Sequence, residues 1–398
     1  MIVKLGRNKI DFLSYENDDE IFINCMTWYW TSSLANSVLK RLLGEGTFAT
    51  IISAFITMPA FFAFIILSLL VLNKYKKTVK FLIPENLFIL LFLFSFLRGT
   101  PYKPMITLFV WLTLSLILAT VMTSISNYEK LYEAFEKLIP LYTLLAMGAF
   151  FLRQEAGDYM MNFSFLLVLP ICQCIHLIVE KRRYSYFAPL LVLLILILLK
   201  GSRGALGCIV AFILLHIIFK SKRKNTKVLL CVTGIFSYVF FTPLVNCVYA
   251  FLEHHNISSR TIWLLVNDID HDSGRSVLYK QAQKLIAQKP ILGWGIAGER
   301  MVMDVYPHNI VYEFLIDYGK PVGYLLLVIL ILRLIDGFKK STGKYGVLYT
   351  IFFASSVALL WSGSYLSTPS FWICIYMAIH VRNRKDFPCQ CHMSDEAT

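Results

Sequence analysis

Apolar runs long enough to cross a bilayer, separated by polar turns, constrain this chain more than any motif in it. Spanning a hydrocarbon core takes about 17–25 apolar residues in a helix, and a helix satisfies every backbone N–H and C=O within the segment, as lipid demands. Twelve segments meet or approach that requirement: 21–39, 48–72, 81–97, 105–124, 138–152, 160–179, 184–199, 204–219, 228–249, 309–334, 346–361 and 368–380. Charged residues make up only 16% of the chain and mean hydropathy is +0.63, whereas soluble domains carry about 25% charged residues. The expectation is an all-α, polytopic integral membrane protein of about twelve transmembrane helices, with residues 1–398 forming a single membrane domain.

The basic residues predict an orientation, because cytoplasmic loops of membrane proteins hold an excess of Lys and Arg. Lys4, Arg7 and Lys9, the cluster 74–80, Lys130 and Lys137, Lys181-Arg182-Arg183, and the clusters 220–227, 333–344 and 382–385 fall at every second loop. Both termini, including the tail 381–398, are therefore expected in the cytoplasm, and the segment 250–308 on the outer face. The formal charge of +13 reads as a topology signal and a match to anionic lipid headgroups. Scattered over separate loops, these cations form no nucleic-acid-binding patch. Residues 1–20 lack the apolar stretch and small-residue cleavage site of a secretory signal, so the spans themselves are expected to direct insertion.

Cys25, Cys172, Cys174, Cys208, Cys231, Cys247 and Cys374 lie in or near apolar spans, where cysteine serves as a small packing residue. The long loop has none, so no disulfide framework is expected there. Cys389, Cys391 and His392 offer too few ligands for a closed structural zinc site, and no metal or cofactor is expected.

Long insertions in compact domains are usually functional, and 250–308 is the long polar insertion here. Within it, Val277, Leu278, Ala282, Leu285 and Ile286 recur at helical spacing, predicting an amphipathic helix over 276–288 that Pro290 ends. The run Gly293-Trp294-Gly295-Ile296-Ala297-Gly298 has the form GxGxxG. A dinucleotide site would need a preceding strand and a following helix, so a glycine-hinged turn is expected instead.

Three basic positions share the predicted outer face. Arg203, in Lys200-Gly201-Ser202-Arg203-Gly204, stands at a helix start with Ser202 as the expected N-cap. Arg275 opens the amphipathic helix, and His308 stands at the mouth of the tenth span. Arginine presents a planar fork of donors to phosphate oxygens, helix N-termini add backbone N–H groups, and histidine accepts a proton near neutral pH. Taken singly, Arg203 also suits an interfacial anchor, Arg275 a solvated first-turn residue or partner of Asp272, and His308 a polar boundary residue. The functional reading rests on finding all three on one face.

The run Lys200-Gly-Ser-Arg203-Gly-Ala-Leu-Gly resembles the SRGA-type motif of the O-antigen ligase and polymerase superfamily. Ser273-Gly-Arg275, the helix after it and Lys289-Pro-Ile-Leu-Gly-Trp-Gly295 resemble that superfamily's loop motif. Pro307-His308-Asn309 with Glu313-Phe-Leu-Ile-Asp-Tyr-Gly319 resembles its approach to the next span.

The resemblance implies a metal-independent, GT-C-like glycosyltransferase of the bacterial cytoplasmic (inner) membrane, acting on polyprenyl (undecaprenyl) diphosphate-linked oligosaccharides at the outer face. By motif, Arg203 and Arg275 would hold the donor diphosphate, and His308 would orient or deprotonate the acceptor hydroxyl. Lys200, Asn309, Glu313 and Asp317 would be further substrate contacts. Gly319-Lys320-Pro321 is expected to break the helix and leave the acidic segment partly outside the lipid. A chain-length regulator and a flippase of the same pathway are the implied partners. The modest loop length and the Ser367–Trp372 stretch incline the reading to a repeat-unit polymerase, with a ligase as the second reading. A transporter is a third, disfavoured because the span centres are nearly bare of ionisable residues and no inverted repeat is visible.

Overall fold

The computed structural model describes residues 2–5, 8–11, 15–43, 103–151, 161–216, 228, 242–243, 245–255, 259–267, 274–303 and 305–384. In chain order the elements are β1 (Ile2–Leu5), β2 (Asn8–Asp11), α1 (Tyr15–Leu43), α2 (Lys103–Ser124), α3 (Tyr128–Phe151), α4 (Met161–Leu166) and α5 (Val168–Lys181). They continue with α6 (Phe187–Lys200), α7 (Arg203–Leu215), α8 (Arg260–Asn267), α9 (Arg275–Gln288), α10 (Arg300–Met303), α11 (Ile310–Lys340), α12 (Gly343–Ser356) and α13 (Pro369–Arg384).

Four described stretches are long and apolar enough to cross a membrane: Tyr128–Phe151, Phe163–Lys181, Ile310–Lys340 and Gly343–Leu360. Leu108–Ser124, Tyr184–Leu199, Arg203–Leu215 and Pro369–Val381 are shorter apolar helices. These coincide with segments expected to span. The expected spans 48–72 and 81–97, most of 228–249 and the tail cysteines lie outside the described residues. The described residues are helical as expected, with one short addition at the N-terminus, where β1 and β2 pair antiparallel with Ile2 opposite Asp11 and Leu5 opposite Asn8. Strands of four residues are too short to leave a periodic signal beside the long apolar runs.

Sequence periodicity explains where the helices bury themselves. α3 begins at Tyr128, well before the expected 138, because Glu129, Lys130, Glu133 and Lys137 mask its start in a hydropathy reading while Tyr128, Leu131, Tyr132, Phe135, Ile139 and Tyr142 form one buried stripe. α13 packs along α2 and against α11 and α12, closing the core around Met26, Leu112, Phe212, Tyr349 and Cys374. α11 instead exposes Tyr324, Leu325, Val328, Ile331 and Leu332, an apolar face suited to lipid rather than water.

Candidate functional site

The site is organised by a break in α11. Gly319 has φ 76° and ψ 170°, and Pro321 follows. Pro321 has no N–H to give the Asp317 carbonyl, and the Lys320 N–H turns away to the Pro290 carbonyl at 2.7 Å. Two carbonyls are thereby released from the helical ladder, and the loop takes both: Trp294 N–H donates to Ile316 O at 2.7 Å and Gly295 N–H to Asp317 O at 3.0 Å. Such carbonyls are costly to leave unpaired when buried. The GxGxxG run is thus a docking turn, with Gly293 and Gly295 at positive φ.

That docking carries α9 with it. The predicted amphipathic helix forms over Arg275–Gln288, and Ala282, Leu285 and Ile286 pack on Leu315, Ile316 and Met303. Val277, expected on the apolar face, is exposed instead. Trp294 fastens the far end, its indole N–H donating to Leu285 O at 2.9 Å under the Lys289 ammonium at 3.9 Å from the ring centre. Beside this interface, Tyr279 and Tyr312 stack at 4.9 Å, and Gln283 donates to the Tyr312 hydroxyl at 3.1 Å. Arg275 therefore opens a helix seated on the first turns of α11.

Asn309 is the N-cap of α11. Its Oδ1 accepts from Val311 N at 2.9 Å and Tyr312 N at 3.4 Å, while its Nδ2 donates to Leu360 O at 2.9 Å. Both ends of this amide are occupied in holding structure. His308, immediately before, has φ 56°, a left-handed conformation uncommon for a residue with a side chain. The ring is half-buried and lies 4.1 Å from the Tyr306 ring, centre to centre. Burial first, then the positive charges of Arg275 and Arg300, hold its pKa below the ordinary histidine value of 6.5. A neutral imidazole is the form that accepts a proton.

Glu313 and Asp317, expected as substrate contacts partly outside the lipid, are 0% and 2% exposed. Glu313 Oε2 accepts from the Tyr365 backbone N–H at 3.2 Å and Asp317 Oδ2 from the Tyr365 hydroxyl at 2.6 Å. The Trp372 indole in turn donates to Tyr365 O at 2.7 Å. The two acids thus tie α11 to the 365–372 segment beneath the site. Glu299 is also fully buried, and desolvation raises its pKa despite the opposing charge of Arg300.

Arg203 occupies the helix start expected for it. Ser202 caps α7, its side chain accepting from Ala205 N at 3.2 Å. Gly204 and Gly207 let Trp361 lie against the first turns: a Cβ on either would stand 2.8 or 2.9 Å from the indole. Leu360 holds Asn309 and Trp361 packs on α7, so one turn links the neighbourhoods of Arg203 and His308. The turn before Arg203 is fixed by Thr261 Oγ1 donating to Gly201 O at 2.8 Å and Ser259 Oγ to Leu198 O at 2.7 Å. Lys200 ends α6, and its side chain lies outside the described residues.

Arg300 was not legible as a site residue. Its Nε is 3.3 Å from Glu299 Oε1, a terminal nitrogen is 3.9 Å from Glu313 Oε1, and its guanidinium carbon lies 4.6 Å from the Tyr306 ring centre. The available signal was the acid-base pair Glu299-Arg300 directly after the glycine turn.

The apolar helices and docked loop define an integral membrane protein with a histidine and arginines gathered at the broken start of one span. Residues 188–328 match the family model described as O-Antigen ligase. The match takes in Arg203, Arg275, Arg300 and His308, so this segment is similar to the O-antigen ligase family over the stretch that carries the site. No curated protein and no solved structure matches the chain.

Proposed function

We propose that the protein is a polymerase of polyprenyl-diphosphate-linked oligosaccharide repeat units, building O-antigen or capsular polysaccharide at the outer face of the bacterial cytoplasmic membrane. The observation that carries this reading is the half-buried His308 ring at the mouth of α11, 4.1 Å from the Tyr306 ring that Arg300 also meets, within a segment that matches the O-antigen ligase family model. Arg203 and Arg275 bind the donor diphosphate and stabilise the charge that builds as it leaves. His308 takes the proton of the acceptor sugar hydroxyl, which attacks the anomeric carbon as the bond to the lipid diphosphate breaks. Asn309 contributes by fixing the helix start beside this base, and Glu313 and Asp317 by holding the floor.

The alternation of basic loops supports an outward-facing site. The related reading is a ligase, which transfers a finished chain to a lipid A-core sugar or another terminal acceptor, and the family description favours keeping it in view. The glycan of a deletion strain separates the two. A single repeat unit on the anchor indicates a lost polymerase, whereas accumulated lipid-linked polymer indicates a lost ligase and overturns the polymerase reading.

A further inference from the structure

The Arg300 side chain is only 13% exposed, and its guanidinium is engaged on its edge and on its face at once. Along the edge lie Glu299, with Nε to Oε1 at 3.3 Å, and Glu313, with a terminal nitrogen to Oε1 at 3.9 Å. Across the face lies Tyr306, its ring centre 4.6 Å from the guanidinium carbon. The Tyr306 ring in turn meets the His308 ring at 4.1 Å. A column therefore runs from two fully buried carboxyl groups through Arg300 and Tyr306 to the half-buried imidazole. Only a planar cation can pair at its edge and stack on its face together. The imidazole stands on a backbone at φ 56°, a conformation that persists where its surroundings over-determine it.

We infer that Arg300 is a positioning residue: anchored by Glu299 and Glu313, it sets the place and orientation of the His308 imidazole through the Tyr306 ring. This inference rests on the proposed base role of His308 and extends it to the residues that hold the base. Among the described residues, the charged and titratable groups facing His308 are Arg275 from α9, Arg300 from α10 and Tyr306, which lies between Arg300 and the imidazole, with Glu299 and Glu313 also on Arg300. Arg300 thus acts on the imidazole by charge as well as by stacking. A residue that served only to neutralise the buried acids would do neither.

The test uses the full-length protein in lipid with Tyr306→Leu, Tyr306→Phe, Arg300→Gln and Arg300→Lys. Turnover is measured on lipid-linked repeat units. In parallel, acylation of His308 by diethyl pyrocarbonate is followed across pH by peptide mass spectrometry, a readout of the neutral imidazole that needs no turnover. Tyr306→Leu leaves the ion pairs in place but removes the stack, and should lower kcat about tenfold or more with KM within about twofold. Tyr306→Phe should restore it. Arg300→Gln should move the acylation midpoint to higher pH, while Arg300→Lys should keep the midpoint and still lose kcat. Wild-type kcat in Tyr306→Leu while His308→Asn is inactive overturns the inference, including where Arg300→Gln does not fold, as does an unmoved midpoint in folded Arg300→Gln. Wild-type turnover in His308→Asn together with a moved midpoint in Arg300→Gln would instead overturn the base role alone.

Discussion

Gly293 and Gly319 face each other so closely that neither has room for a side chain. A Cβ on Gly293 would lie 2.5 Å from Gly319 N, and one on Gly319 would lie 3.0 Å from Gly293 N and 2.2 Å from Ile291 O. Both residues have positive φ. This contact lets the loop take the carbonyls of the broken span, and through it α9 and Arg275 are seated beside His308.

Gly319→Ala should therefore unseat the loop, whereas Gly274→Ala should not. Gly274 also has positive φ, but a Cβ there meets nothing within 4 Å, so its cost is conformational only, about 1–2 kcal/mol. Gly319→Ala adds overpacking against backbone, roughly a further 1–3 kcal/mol. Thermal unfolding in detergent, with proteolysis at Lys289 as the local readout, should show Gly319→Ala cleaved faster and melting lower than Gly274→Ala. Equal behaviour of the two variants would mean that the docking is not rigid.

Arg203→Lys and Arg275→Lys each retain a cation and lose the planar fork. If both arginines bind the diphosphate through that fork, each change should remove on the order of 2–4 kcal/mol of transition-state stabilisation, or about thirty- to a thousandfold in rate. Polymer length and yield at matched membrane abundance give the measure. Near-normal polymer from both variants would return these arginines to interfacial anchoring.

Orientation is tested by single cysteines at exposed positions. Cysteine replacing Asn267 or Gln288 should react with an impermeant thiol reagent added outside intact cells or spheroplasts, and cysteine replacing Lys181 only after permeabilisation; all three positions are exposed. The reverse pattern would put the site in the cytoplasm, away from an outer-face donor.

The pH dependence follows from His308. Burial and two neighbouring cations depress its pKa, so the base stays neutral as pH falls through 6.5, the ordinary value. The acid limb of kcat/KM should accordingly lie below that value, and an acid limb above it would contradict the environment described. Stability is a poorer readout, because two groups oppose each other. His308 contributes stability that is lost as pH falls below 6.5 towards its depressed folded value. Glu299, with a raised folded pKa, contributes stability that is lost as pH rises from 4.5 through that value.

Much of this architecture was legible in the order of apolar runs and breakers. The Ser202 cap, the start of α7 at Arg203, the amphipathic α9 and the break at Gly319-Lys320-Pro321 each follow from a local rule, and each formed where expected. What the sequence withheld is long-range. Nothing local says that the glycine turn pairs with freed carbonyls of the following span, or that Glu313 and Asp317 accept hydrogen bonds from Tyr365. Arg300 was hidden for the same reason: its role depends on Glu313 and Tyr306, brought to it by folding. The early start of α3 was missed because hydropathy cannot see a helix whose exposed face is charged.

The central claim is that His308 performs chemistry rather than shaping the helix start. Asn309 already supplies the cap, and asparagine tolerates the left-handed backbone at position 308, so His308→Asn removes the base while preserving the fold. The direct measurement is turnover of purified His308→Asn on lipid-linked repeat units at saturating substrate. A folded, donor-binding protein slowed by about 10²- to 10⁴-fold is the predicted result. Turnover equal to wild type would contradict it and leave His308 as a structural residue.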